Sequence, residues 1–226
     1  MSNLGDAQIT RLQVVVLARW PAPGRCKSRL AEGIGRVRAA AVQARLARHV
    51  TAVARESLNR LRALAEAPDA ELVLAVDGLG SRAARRWGRE LGVDRVVLQG
   101  GGGLGSGGLG SRLQRQLLRA HREGARRIIL VGSDLPSLEP SDLVDAFEAL
   151  ETAPWVLGPA QDGGYWLIGA KRPQPSPFVG PDAPIPWGTA AVLHSTLRLA
   201  ARHGISVPLL KRQADLDLPT DLRRWR

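Results

Sequence analysis

The sequence predicts an α/β fold, and three features of it carry that prediction. Short runs of aliphatic and β-branched residues recur along the chain, too continuous for strands with one wet face. Between them lie segments whose apolar residues return at three- and four-residue spacing, the period of helices packed on a sheet. Glycine and proline clusters punctuate the joins. With 226 residues, 44% of them hydrophobic and 23% charged, the chain can bury one sizeable core. Residues 1–226 are therefore expected to form a single domain, with 1–11 as a disordered N-terminus.

Taken in order, Leu12 to Ala18 reads as a first buried strand, stopped by Arg19 and Pro21. The following loop, RWPAPGRCKSRL at 19–30, combines prolines and Gly24 with Arg19, Arg25, Lys27 and Arg29. Such a rigid cationic loop at a strand end suits a phosphate or diphosphate, with backbone approach at Gly24 and charge neutralisation by Lys27 and Arg29. A plain basic surface loop is the alternative, and the Walker spacing is absent. Arg36 to Leu64 has the pattern of one long helix, ended by Pro68. Glu71 to Val76 follows as a strand, with Asp77-Gly78 fitting a turn or, alternatively, a contact to a base or ribose. A helix over Ser81 to Leu91 and a strand over Arg95 to Leu98 come next.

Residues 100–111 contain the pentapeptide GGLGS twice, at 102–106 and 107–111. Gly103, Gly105 and Gly108 match GxGxxG, yet a glycine-rich duplication produces that spacing by accident and the segment does not follow the first strand. A flexible active-site loop is the better reading. A helix is expected from Leu109 to Glu123.

The centre of the pattern is RRIILVGSDLPSL at 126–138. Ile128 to Val131 reads as a strand buried on both faces, so Asp134 sits at its carboxyl end. Ligands of open α/β sheets bind outside those ends, where a carboxylate can hold a divalent cation against a phosphate. The alternative is that Asp134 caps the helix expected over Leu138 to Leu150. Trp155 to Gly158 is a short strand, and QDGGYWLIG at 161–169 is a turn feeding another. Gly163 and Gly164 let the backbone pass under a ligand, although a hairpin turn explains Asp-Gly-Gly equally. A proline-rich connection at 171–186 leads to a helix from Pro186 to about His203 and a last strand over Ile205 to Leu209. DLDLPTDL at 215–222 enters a final helix through Pro219.

Basic residues exceed acidic ones to give a net charge of +11, and Lys occurs only at 27, 171 and 211. The charge is spread over helical segments, which describes a solvated surface and suits an anionic small molecule better than nucleic acid. A lone cysteine, Cys26, excludes an intramolecular disulfide framework and fits a reducing cytosol. No stretch has membrane-spanning length, and the N-terminus lacks a signal pattern. A cytoplasmic protein with no nucleic-acid or membrane partner is expected. The four histidines are far apart on expected helices and show no metal spacing, and no GxSxG elbow supports serine catalysis.

Four stretches together, ARWPAPGRCKSRL at 18–30, VGSDLPSL at 131–138, GPAQDGGYWLIG at 158–169 and DLDLPTDL at 215–222, resemble the arsenosugar-biosynthesis-type glycosyltransferases. That bacterial group belongs to the nucleotide-diphospho-sugar transferase (GT-A-like) superfamily, and the resemblance runs over nearly the whole chain. It implies a three-layer α/β/α, GT-A/Rossmann-like, mostly parallel sheet with a mixed C-terminal portion. It implies a metal-dependent glycosyltransferase acting on a nucleotide-diphosphate sugar and a small-molecule acceptor, with Mg²⁺ or Mn²⁺ as cofactor. Asp134 and Asp217 would hold the cation, with Asp134 and Asp162 as the catalytic acids. Arg19, Gly24, Lys27 and Arg29 would bind nucleotide and phosphate, while Gly163, Gly164, Tyr165 and Trp187 would line the substrate pocket. Related nucleotidyltransferases share the strand-end aspartate and a DxDTPEDL-like ending, which makes pyrophosphate-releasing nucleotidyl transfer the second chemistry. Three positions depart from the family pattern: Gly108 replaces an aspartate, and Ser28 and Leu218 replace threonines. The lost acid makes a nucleotide-binding homologue with reduced or no catalysis the third reading.

Overall fold

The computed structural model describes residues 11–64, 69–100, 108–171 and 185–225. Within them six strands form one sheet in the order β3-β2-β1-β4-β6-β5. Strands β1 (Leu12–Arg19), β2 (Ala70–Asp77), β3 (Arg95–Leu98) and β4 (Arg127–Gly132) run parallel, while β6 (Tyr165–Ala170) lies antiparallel between β4 and β5 (Trp155–Pro159). The three-layer, mostly parallel sheet with a mixed C-terminal portion is thus as the sequence predicts. The GxGxxG glycines Gly103 and Gly105, the proline-rich connection from 172 to 184, Pro68 and residues 1–10 lie outside the described residues.

Why the parallel strands read as largely apolar runs is visible in their packing. Val14 and Val16 face one layer and Val15 the other, and all three are fully buried. The first layer holds α2 (Arg36–Leu64), α3 (Ser81–Glu90) and α5 (Pro140–Thr152), which contribute Val50, Leu58, Trp87 and Phe147. The second holds α4 (Leu109–Arg122) and α6 (Val192–Arg202), with Leu113, Leu117 and Leu199. A strand buried on both faces cannot use alternation, so nearly every position is apolar, Gln13 of β1 being a fully buried exception that donates to Glu71.

Three expectations are corrected. A short helix, α1 (Ser28–Ile34), interrupts what reads as loop, its Gly33 pressed so close to Pro219 that a side chain at 33 would collide with the proline ring. The helix expected from Pro186 starts only at Val192, because residues 186–191 are spent on turns, Thr189 donating its hydroxyl to the Pro186 carbonyl at 2.8 Å. Ile205 to Leu209 is not a strand. Only isolated bridges, Leu157 with Leu209 and Ala160 with Gln213, tie this part of the chain to the β5 edge. Pro208 has no N–H to continue a ladder, so it only accepts, from the Leu157 amide at 3.1 Å.

Candidate functional site

Everything that points to chemistry lies at the carboxyl ends of the parallel strands, around an open cavity of about 750 Å³. β4 delivers Asp134 there. The helix after it is capped by its own residues, the Glu139 amide donating to the Asp142 carboxylate at 2.9 Å. Asp134 is therefore not that helix's cap, and its side chain, 45% exposed, faces the cavity. Its backbone carbonyl accepts from the Leu216 amide at 2.9 Å, so the terminal segment is fastened to the strand end.

Lys27 joins the two. It is the one non-glycine residue with positive φ among the described residues, at φ 50° and ψ 51°. A side chain in that left-handed region costs roughly 1–3 kcal/mol and persists only where its surroundings impose it. The surroundings here are a buried ammonium: the side chain is 2% exposed, with Nζ 3.1 Å from Asp134 and 3.9 Å from Asp217 and donating to the Leu216 carbonyl. A buried charge needs such partners to stay ionised. Lys27, expected from the sequence to meet phosphate, makes its contacts here with the two carboxylates and the Leu216 carbonyl. Arg29 is the exposed cation, its guanidinium 3.2 Å from Asp217.

Asp215 was not singled out by sequence reasoning, although the signal was present. In the extended DLDL stretch residues two apart share a side. With Leu216 fully buried in the core, Asp215 and Asp217 both line the cavity. Burial first, and then the charge of Asp162, hold the Asp215 carboxyl above its ordinary pKa. Asp134, Asp162, Asp215 and Asp217 therefore share one cavity with Lys27 and Arg29. Among the described residues no three acidic, histidine or cysteine side chains close into a ready-made metal cage.

The turn between β5 and β6 sets the opposite wall. Asp162 accepts from the Gly164 amide at 2.9 Å, an Asx turn that closes the hairpin. Gly163 has φ +87°, and a Cβ there would stand 2.2 Å from the Ala190 carbonyl oxygen. Its lack of a side chain thus serves packing against the 186–191 turns. Gly164, Tyr165 and Trp187 line the cavity; Gly163 and Gly24 do not. Tyr165 and Trp187 meet edge to face, centroids 6.2 Å apart. Burial pushes the Tyr165 phenol pKa well up, with a smaller opposing effect of the Thr196 hydroxyl.

At the β1–β2–β3 end stand Arg19, Asp77, Gln99 and Arg112. Arg19 pairs with Asp77 at 3.0 Å, and Arg112 reaches the same carboxylate at 3.6 Å. Gln99, at a strand end, carried no signal, while Arg112 stands where the family pattern after Gly110 has an arginine but was given no site role. Gly108 precedes α4 in extended backbone, with open space where a Cβ would be.

A mostly parallel six-stranded sheet with a reversed strand beside β4 is a GT-A/Rossmann-like fold, the fold of the solved structures the chain resembles. The chain belongs to the bacterial family described as "Uncharacterized protein conserved in bacteria (DUF2064)", whose model matches residues 60–189. A protein of Desulfovibrio desulfuricans G20, provisionally described as a nucleotide-diphospho-sugar transferase, superposes with a TM-score of 0.74 at 28% identity, over 92% of this chain and 82% of its own. Rv0371c of Mycobacterium tuberculosis H37Rv shares the fold at a TM-score of 0.51 and 22% identity, over 96% of this chain and 97% of its own. So does glucosyl-3-phosphoglycerate synthase of the same species, in complex with Mn²⁺, UDP and glucosyl-3-phosphoglycerate, at 0.52 and 14% identity, over 95% of this chain and 75% of its own. No protein of curated function matches the sequence. No helix among the described residues is long and apolar enough to cross a membrane.

Proposed function

We propose that the chain is a single-domain glycosyltransferase that takes a sugar from a nucleotide-diphosphate donor and gives it to a small-molecule acceptor. The observation that carries this reading is the Lys27 ammonium held between Asp134 and Asp217 at the head of β4, in a cavity that also holds Arg19 and Arg29. The 28%-identical Desulfovibrio protein supports the transferase class. The arsenosugar-specific assignment remains part of the proposal.

The residues present fit a divalent cation. Mg²⁺ and Mn²⁺ sites of this kind use one or two carboxylates and complete their coordination with substrate phosphates and water, so an all-protein cage is not needed. Asp134 and Asp217, 45% and 35% exposed, are the available pair. A cation held there supplies Lewis acidity to the diphosphate leaving group. Arg29 adds positive charge as the sugar–phosphate bond breaks, and Lys27 keeps the two aspartates at fixed spacing. Asp162, one oxygen of which holds the Gly164 amide, has its other oxygen to take the proton from the acceptor hydroxyl. Tyr165 and Trp187 offer an apolar wall to the sugar or acceptor. No protein nucleophile is required.

Thermal shifts against a panel of nucleotide sugars with Mg²⁺ or Mn²⁺ test the reading. Stabilisation by at least one donor, lost in Asp134→Ala, is the expected outcome. Stabilisation by none, or an unchanged shift in the variant, contradicts it. A pyrophosphate-release assay with nucleoside triphosphates separates sugar transfer from nucleotidyl transfer.

A further inference from the structure

The DLDLPTDL ending carries a third acid that the proposed cation pair does not use. Asp221 does not line the cavity, yet its Oδ2 accepts from two successive backbone amides, that of Asp217 at 3.0 Å and that of Leu218 at 2.7 Å. The amide before them, on Leu216, donates to the Asp134 carbonyl at 2.9 Å. Three consecutive amides are thus engaged, the first by the strand end that carries Asp134 and the next two by Asp221, and Pro219 has no N–H to add. Asp221 is itself held in place. It belongs to a 3₁₀ helix, Pro219–Arg224, whose Leu222, with Trp225 just beyond it, packs on a small core around Leu30, Leu46 and Leu216 that is separate from the two layers of the sheet. The Pro219 ring fills the space beside Gly33, and the Arg45 guanidinium lies 4.8 Å from the centre of the Trp225 ring.

Resting on the reading of Asp134 and Asp217 as the cation's ligands, we infer that Asp221 is the positioning residue of that pair. Its carboxylate fixes the Asp217 backbone at a set distance from Asp134, so that the Asp217 side chain meets a cation bound there, and it touches neither cation nor substrate itself. The side-chain partners of Asp217 cannot do this. They are Arg29 at 3.2 Å and Lys27 at 3.9 Å, both cations that a divalent ion repels, so the placing of Asp217 falls to its backbone. A carboxylate suits the task, because an ionised acceptor holds amide hydrogens roughly twice as strongly as a neutral one. Groups that stand behind a metal ligand and orient it typically govern metal affinity by about 10–100-fold.

Calorimetric titration of the full chain with pyrophosphate in the presence of Mn²⁺ tests the inference without reference to any base or sugar. Asp221→Ala should weaken binding about 10–100-fold. Asp221→Asn, which keeps a neutral acceptor, should weaken it about 3–10-fold. In an Asp217→Asn background neither change should cost anything further, because the ligand that Asp221 places is already gone. A helix cap with a merely structural role would cost the same in both backgrounds. Wild-type affinity in Asp221→Ala, or an equal loss with and without the Asp217 carboxylate, overturns the positioning role and leaves the cation pair standing. No binding to the wild type, or unchanged binding in Asp217→Asn, overturns the cation reading itself, and this inference with it. Should Asp221→Ala not fold, Asp221→Asn decides alone, and wild-type affinity there overturns the inference.

Discussion

The two ends of the parallel strands are both crowded with charge and are built in opposite ways. At the amino end, Glu71 accepts from Arg11 at 2.9 Å, Gln13 at 2.7 Å and Arg95 at 2.9 Å, while Glu123 accepts from Arg95 and Arg119 at 2.6 Å each. The Glu71 side chain is only 14% exposed. Burial opposes the charge on Arg95, but Glu123 and Glu71 outweigh it and hold that guanidinium above its ordinary pKa. At the carboxyl end, Asp134, Asp162, Asp215 and Asp217 share the cavity with Lys27 and Arg29, and Asp215 is pushed upward chiefly by burial and by Asp162. One end is a network of mutually paired charges, and the other keeps acidic groups facing open space. Ion pairs alone do not mark a site; carboxylates left in excess at strand ends do.

Substitutions at the two ends should separate function from stability. The largest effect on turnover belongs to Asp134→Ala, which should lower kcat by about 10²–10³ or more. The largest effect on stability belongs to Glu71→Ala, which takes one acceptor from the partly buried Arg11 and Arg95 guanidinium groups and should cost about 3 kcal/mol in denaturant unfolding. Nucleotide affinity of the folded protein should be unchanged. A Glu71 variant that loses nucleotide binding while folded would break the comparison.

A smaller loss is expected from Gly163→Ala. Left-handed backbone and collision with the Ala190 carbonyl together should cost about 1–3 kcal/mol by thermal or chemical denaturation, although residue 163 does not line the cavity. Gly108→Asp restores the acid of the family pattern in open space at the start of α4. It should add a few tenths of a kcal/mol through capping, and a rise in transfer rate would show that the natural glycine weakens catalysis. The smallest effect concerns Cys26, whose thiol pKa is raised by burial, Lys27 opposing. At neutral pH it stays protonated, so alkylation should be slow and should accelerate as pH rises past the ordinary thiol range. A bound nucleotide should slow it further, because Cys26 lines the cavity.

The fold was legible because strands buried on both faces leave short, largely apolar runs such as VVVLA and IILV. Asp134 was legible for the same reason, since a strand that stops at Gly-Ser-Asp announces its carboxyl end. What did not read was whatever depends on pairs distant in sequence. Lys27 is left-handed and buried because Asp134, Leu216 and Asp217 receive its ammonium, and no local pattern tells a lysine bound for a carboxylate from one bound for phosphate. Arg112 matched an arginine of the family pattern, but nothing local tied it to Asp77 and Gln99. Asp215 fell in between. Its alternation with Asp217 was on view, but its burial was not.

The most direct measurement is calorimetric binding of a nucleoside diphosphate with Mn²⁺ to three proteins: wild type, Asp134→Ala and Glu71→Gln. The open-end account requires binding to the wild type, at least a tenfold loss in Asp134→Ala by removal of a charge-assisted contact of about 1.4 kcal/mol or more, and wild-type affinity in folded Glu71→Gln. Equal affinity in the wild type and Asp134→Ala, or no binding to either, would contradict it.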